Sequence, residues 1–111
     1  MIQATFIRTN RQLLSVELTG HAGSGEFGYD IVCAAVSTLS INLVNSLEAL
    51  ADCTPDVTID EIDGGYMKIA LSDLADLENE KVQLLFESFL LGMTNLAENS
   101  SEFVSISVIT N

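Results

Sequence analysis

The stretch GHAGSGEFGYDIVC, residues 20–33, holds the only histidine of the chain, His21, and the first of its two cysteines, Cys33. It joins a segment with the alternating pattern of a strand to a segment with the periodicity of a helix, through a loop rich in glycine. Imidazole and thiol are the pair that a nucleophilic cysteine enzyme needs. The stretch therefore predicts a strand–loop–helix connection and marks the place where catalytic chemistry is concentrated.

Apolar and polar residues alternate in five segments of the chain, including the one that precedes this stretch, which predicts five strands. These segments cover residues 2–7, 14–19, 57–60, 66–71 and 104–108. Asn10-Arg11 between the first two segments and Asp63-Gly64-Gly65 between the next two are typical of hairpin turns. Both adjacent pairs are therefore predicted to be antiparallel.

Apolar residues at spacings of three and four predict two helices. The first begins after Asp30 as its N-cap and ends before Pro55; its core stripe is Val32, Val36, Leu39, Leu43, Leu47 and Leu50. The second runs from about Glu78 to Glu98; its core stripe is Val82, Leu85, Phe86, Phe89, Met93, Leu96 and Ala97. The order ββαββαβ predicts an α/β fold of the α+β type, a two-layer sandwich with two helices on one face of a mostly antiparallel five-stranded sheet.

Five apolar residues lie partly off the two helical stripes. They are Ile41, Val44, Leu84, Leu90 and Leu91. Either they widen the core faces or they bury a contact in a homodimer, because leftover apolar surface usually meets a partner.

The composition describes one domain over residues 1–111, with 48% apolar residues and a net charge of −12. Residues 1–40 carry −1 of this charge and residues 41–111 carry −11. Direct binding to nucleic acid is disfavoured, because phosphates select for Lys and Arg, whereas a basic protein partner fits this field.

The N-terminal residues show no signal-peptide pattern, and the longest apolar candidate, from Ile31 to Leu50, is interrupted by polar residues. We therefore expect a soluble protein of the cytoplasm without a membrane partner. Two cysteines and one histidine without paired spacing predict neither a disulfide scaffold nor a zinc site, so we expect no metal and no other cofactor.

The predicted cap puts Cys33 in the first helical turn, where unpaired N–H groups and the helix dipole favour a thiolate. His21 could remove the thiol proton and later protonate a leaving amine. Asp30 either only caps the helix or also orients His21, and Ser37, one turn after Cys33, is a supporting residue. The alternative for Cys33 is a small buried apolar residue, as is common for free cysteines. Cys53 has no histidine near it in sequence and is interpreted as structural.

The glycine-rich loop has a second interpretation, as a phosphate cradle. Gly23, Gly25 and Gly28 fit the spacing G-x-G-x-x-G. The loop lacks the lysine of a P-loop and carries Glu26 and Asp30, so this signal is weak.

Several residues of this stretch resemble a known family. The segment Gly20-His21-Ala22, the glycines that follow, and residues 28–37, GYDIVCAAVS, resemble the signature of the ribosomal-processing cysteine proteases of the Prp family. The length, the acidity and the order of elements fit that family over essentially the whole chain.

The resemblance implies a bacterial cysteine endopeptidase with Cys33 as the nucleophile and His21 as the general base and acid. Its substrate would be a large-subunit ribosomal protein whose short apolar N-terminal extension, ending in aromatic residues, is removed during ribosome maturation. The resemblance also implies a homodimer and a mobile loop between histidine and cysteine that becomes ordered with substrate.

The composition of the loop suggests how substrate could gate the site. Gly23, Gly25 and Gly28 lower the cost of rearrangement, while Phe27 and Tyr29 could pack on an aromatic side chain of the substrate. The competing hypothesis is a non-catalytic module for ribosome assembly or protein interaction, in which His21 and Cys33 are structural.

Overall fold

The computed structural model describes residues 1–20, 27–60 and 65–111. In chain order its elements are β1 (Ile2–Thr9), β2 (Gln12–Thr19), α1 (Phe27–Ala51), β3 (Asp56–Ile59), β4 (Tyr66–Ala70), α2 (Leu74–Glu78), α3 (Glu80–Asn99) and β5 (Val104–Thr110). All five predicted strands and both long helices are present. The prediction of two helices is wrong, because the short helix α2 precedes the second long one.

The strands form one sheet in the order β3-β4-β2-β1-β5. The neighbours β1 and β2, β2 and β4, and β3 and β4 pair antiparallel, while β1 and β5 pair parallel, so the mostly antiparallel sheet is confirmed. Asn10 and Arg11 have φ values of 50° and 70°. Two consecutive positive φ values match the right-handed twist of a two-residue hairpin, which confirms the first predicted turn. The second predicted turn falls mainly on residues 61–64, outside the described residues.

Both long helices pack on the same face of the sheet. Ile2, Ala4 and Phe6 point alternately from β1 into the core, and the Phe6 ring lies 5.7 Å from the ring of Phe89 on α3. Helix α1 contributes Val32, Val36, Leu43 and Leu47 to the same core, and α3 contributes Val82, Phe86, Phe89 and Met93. The two-layer arrangement follows from this shared core.

The start of α3 and the extra helix α2 have the same local cause. Asp73 caps α2 by accepting a hydrogen bond of 2.9 Å from the Ala75 backbone N–H. Asn79 ends α2 and caps α3, since its Oδ1 accepts from the backbone N–H groups of Lys81 at 2.9 Å and Val82 at 3.2 Å. An Asx cap interrupts the helix here, so α3 begins at Glu80 instead of Glu78.

Two of the five off-stripe apolar residues widen the core, and the other three are exposed. Val44 and Leu90 pack against the core, as do Leu39, Leu85, Leu96 and Ala97 of the predicted stripes. Leu84, Leu91 and Ile41 are 71%, 62% and 55% exposed. Leu50 was predicted in the core stripe but is 66% exposed, in the last turn of α1.

Within α1, the segment Ile31–Ala51 is long and apolar enough to span a membrane by length and composition. This differs from the expectation drawn from its polar interruptions. Core helices of soluble proteins pass the same test, and here Val32, Val36, Leu43 and Leu47 are buried against the sheet and α3. This packing accounts for part of the apolar character of α1, while Ile31, Ile41 and Leu50 of the same segment are exposed.

Candidate active site

Strand β2 leads to the predicted histidine through Gly20, a position that requires glycine. Gly20 has a φ of +89°, and a Cβ built on it would lie 2.0 Å from the Met1 carbonyl oxygen. No L-residue with a side chain fits that close approach without displacing the start of β1. His21 itself lies outside the described residues, as do Gly23 and Gly25 of the predicted gating loop.

Helix α1 begins earlier than predicted, and this changes the role assigned to its first residues. The helix starts at Phe27, so Phe27, Gly28 and Tyr29 belong to its first turn instead of to a loop, and Asp30 is the fourth helical residue instead of the N-cap. An aspartate inside the first turn is favoured by the helix dipole just as a cap is, so the two cases leave the same sequence signal.

Cys33 is therefore the seventh residue of α1 and lies in its second turn. Only the first four N–H groups of a helix lack an intrahelical partner, and the dipole effect falls off within the first turn. The predicted activation of the Cys33 thiol by a helix start directly beneath it is thus not supported by the position of the helix.

Cys33 is half-buried and lines a cleft of about 380 Å³ between α1 and one end of the sheet. The α1 wall also includes Val36, Ser37 and Ser40, the sheet side includes Ile2, Leu18 and Gly20, and the start of β4 lines the cleft as well. The lining is mostly apolar. The structure thus brings Cys33, Ser37 and the residue before His21 to one cleft.

The two serines of the α1 wall differ in exposure. Ser37 is exposed, one helical turn beyond Cys33. Ser40 is buried, and its hydroxyl donates a 2.7 Å hydrogen bond to the Val36 carbonyl. The sequence pointed to Ser37 and not to Ser40. The signal for Ser40 was helical periodicity, which places it on the same face of the helix as Cys33 and Val36.

The part of the cleft formed by the start of β4 was not foreseen from the sequence. It consists of Gly65, Tyr66 and Met67. The Tyr66 hydroxyl donates a 2.9 Å hydrogen bond to Oε2 of Glu17 on β2. This hydrogen bond, followed by burial and the Glu17 charge, raises the pKa of the Tyr66 phenol. The phenol therefore remains a hydrogen-bond donor at neutral pH.

Cys53 has a different environment from Cys33. Its side chain is buried in the core, and burial followed by the nearby carboxylate of Asp76, which accepts its hydrogen bond, raises its pKa to about 11. A thiol that keeps its proton at neutral pH is a poor nucleophile. Burial in the core supports the interpretation of Cys53 as structural.

Comparisons with known proteins cover nearly the whole chain. A family model described as cysteine protease Prp matches residues 1–105. The ribosomal processing cysteine protease Prp of Bacillus subtilis is 36% identical, and the match covers 100% of this chain and 98% of that protein.

Solved structures extend the likeness to three dimensions. A crystal structure of a Streptococcus mutans protein is 70% identical, with a TM-score of 0.94, and the match covers 100% of this chain and 96% of that one. The essential ribosomal processing protease Prp of Staphylococcus aureus, solved with a substrate peptide, is 28% identical with a TM-score of 0.86, over 97% of this chain and 99% of that one. The same protein has also been solved with a covalently linked product peptide.

These matches confirm the resemblance to the Prp family and the prediction of an enzyme, and they favour the protease over the non-catalytic module. The fold is the mixed α+β arrangement of a five-stranded sheet with three helices. The chain belongs to the Prp family of cysteine proteases.

Proposed function

We propose that this protein is the cysteine endopeptidase that removes the short N-terminal extension of a large-subunit ribosomal protein during ribosome maturation. The observation that carries the proposal is the position of Cys33, half-buried in the wall of a mostly apolar cleft of about 380 Å³. An apolar extension matches such a lining, because burial of its side chains favours binding. The relatives named as ribosomal processing proteases, one of them solved with a substrate peptide, support the same substrate class.

In the proposed reaction His21 accepts the proton of the Cys33 thiol, and the thiolate attacks the carbonyl carbon of the scissile peptide bond. The tetrahedral intermediate collapses, His21 gives the proton to the leaving amine, and the C–N bond breaks. Water then hydrolyses the thioester with His21 as the base, which releases the carboxylate and restores the thiol. His21 directly follows Gly20, which lines the same cleft as Cys33, and this chain connection supports the pairing.

Asp30 and Ser37 are proposed as supporting residues. Ser37 lies in the cleft wall one turn beyond Cys33, where its exposed hydroxyl can contact a bound peptide. Asp30 is placed in the first turn of α1, so its proposed task is to orient His21 instead of capping the helix.

The glycines at 23 and 25 remain the proposed basis for closure on substrate, while Phe27, Gly28 and Tyr29, in the first turn of α1, are the proposed contacts for the extension. Under this proposal, protection of residues 20–30 from backbone hydrogen exchange rises when the extension peptide is bound to the Cys33→Ala protein. Unchanged protection on binding would argue against gating.

The proposed setting is the cytoplasm, where ribosomal proteins are made, with a basic client and without direct nucleic acid binding. The net charge of −12 favours such a client.

A homodimer is also proposed. Leu84 and Leu91 are strongly exposed and lie two turns apart on one face of α3, which supports a contact with a second copy of the chain. Leu84→Glu with Leu91→Glu should halve the molar mass measured by light scattering, while Leu74→Glu, at an equally exposed leucine of α2, should not.

The direct test is incubation with the unprocessed ribosomal protein, followed by intact mass. The wild-type protein and Cys53→Ala should release one N-terminal peptide, whereas Cys33→Ala and His21→Ala should release none while retaining the circular dichroism of the fold. Cys53→Ala is the matched control, since it removes the other thiol. Normal cleavage by Cys33→Ala would end the proposal.

A further inference from the structure

The start of β4 forms one wall of the cleft, the β4 wall, and no residue of this wall carries a catalytic group. Gly65, Tyr66 and Met67 line it, and Cys33 and Ser37 of α1 line the same cleft. Movement of these β4 residues would change the shape of the space in which a peptide binds. What fixes that wall in place is therefore relevant to substrate binding.

Tyr66 joins this wall to both neighbouring strands. It pairs with Thr19, the last residue of β2, at the end of the β2–β4 ladder, and its carbonyl accepts a 3.2 Å hydrogen bond from the Asp60 N–H after β3. Its hydroxyl adds the 2.9 Å hydrogen bond to Glu17. Three connections converge on one residue where the backbone ladder stops.

The register shows which face of the sheet this side chain occupies. Leu18 of β2 is buried in the core, while Glu17 and Thr19 alternate with it and lie on the face away from the helices. Tyr66 stands opposite Thr19 and reaches diagonally to Glu17, so its ring lies on that outer face. Its phenol therefore holds the wall from behind instead of entering the cleft.

We propose that Tyr66, held by Glu17, is a positioning residue that fixes the β4 wall of the substrate cleft against the end of β2. The inference rests on the proposed protease function and extends it to a residue that does not touch the reacting atoms. Cys33 and His21 belong to other segments, so loosening the β4 wall leaves the catalytic pair in place. The substrate peptide is then bound more weakly to the same extent in the ground state and in the transition state. That pattern raises KM and leaves kcat unchanged.

The test measures steady-state cleavage of a synthetic peptide that spans the cleavage site of the unprocessed ribosomal protein. Tyr66→Phe should raise KM about threefold to tenfold, the effect that loss of one hydrogen bond typically produces, with kcat within about twofold of wild type. Glu17→Leu should give the same change, and Glu17→Gln, which keeps an acceptor for the hydroxyl, should restore KM toward wild type. The double variant Tyr66→Phe/Glu17→Leu should be no worse than either single variant.

Each contrary result has a definite meaning. An unchanged KM in Tyr66→Phe, checked as folded by its thermal melt, would overturn the inference. A raised KM in Tyr66→Phe with a normal KM in Glu17→Leu would also overturn it, because the hydroxyl would then contact substrate directly. If the wild-type protein released no product at all, the proposed function itself would fail, and the inference with it.

Discussion

Replacing Gly20 by alanine tests whether the end of β2 is built around a close backbone approach. Alanine at a φ of +89° is disfavoured, at a cost of about 1–2 kcal/mol for the left-handed region. Its Cβ would also lie 2.0 Å from the Met1 carbonyl oxygen, so the start of β1 must move. That movement endangers the 2.8 Å hydrogen bond from the Ile2 N–H to the Phe103 carbonyl, worth about 1 kcal/mol. We expect Gly20→Ala to lose about 2–3 kcal/mol of unfolding free energy.

Gly92 in α3 offers the matched control, because the same chemical change there has the opposite sign. A Cβ on Gly92 would meet Cδ2 of Leu39 at 3.4 Å, at ordinary contact distance. Alanine in a helix interior is favoured over glycine by about 0.5–1 kcal/mol. Gly92→Ala should therefore be as stable as wild type or more so.

Urea unfolding followed by far-ultraviolet circular dichroism measures both variants, and cleavage assays are run where both remain folded. Because Gly20 directly precedes His21, Gly20→Ala should lose more cleavage rate than its unfolded fraction accounts for, while Gly92→Ala keeps wild-type activity. A Gly20→Ala midpoint equal to that of wild type would refute the reasoning about the close approach.

Three further expectations follow from buried contacts and helix ends. The pKa of the native Cys53 thiol is raised from 9.0 to about 11, so the native state binds more protons than the unfolded state between these pH values. The contribution of Cys53 to the free energy of unfolding is therefore full below pH 9 and is lost as the pH rises through that window. Cys53→Ala should flatten the fall of the melting temperature at alkaline pH, whereas Cys33→Ala should not. Gln83→Ala removes two side-chain hydrogen bonds, of 2.7 Å and 2.9 Å, to the backbone N–H and carbonyl of Leu13; it should cost about 1–3 kcal/mol in urea titrations, with an intermediate loss for Gln83→Glu, which keeps only the acceptor. Asp52, just after α1, has a φ of 53°, which favours glycine, and carries a negative charge at the negative end of the helix dipole. Asp52→Gly should therefore raise the melting temperature. A lower melting temperature would contradict the view that Asp52 is an unfavourable helix end.

The sequence alone was enough to predict the five strands and both long helices, because their signals repeat every two residues or every three to four and need no distant partner. The hairpin at Asn10-Arg11 was equally local. Residues 20–37 were also sufficient to identify the protease family, since the motif is contiguous. Cys53 could be separated from Cys33 on the same grounds, because it lacks a histidine in its neighbourhood.

Other features depended on contacts between distant segments. The parallel pairing of β5 with β1 and the exposure of Leu50 depend on which elements meet in the folded chain. The start of α1 at Phe27 replaced the predicted cap at Asp30, since an acidic residue in the first turn and a cap look alike in sequence.

The cleft illustrates the same division. The sequence marked Cys33 and Ser37 on its helical wall, but the β4 wall, and the hydrogen bond from Tyr66 to Glu17 that lies behind it, exist only in the folded chain. A local pattern records which face of an element is apolar. Which elements meet, and which side chains therefore share a cleft, is decided by burial across the whole core, and that information is spread over residues far apart in the chain.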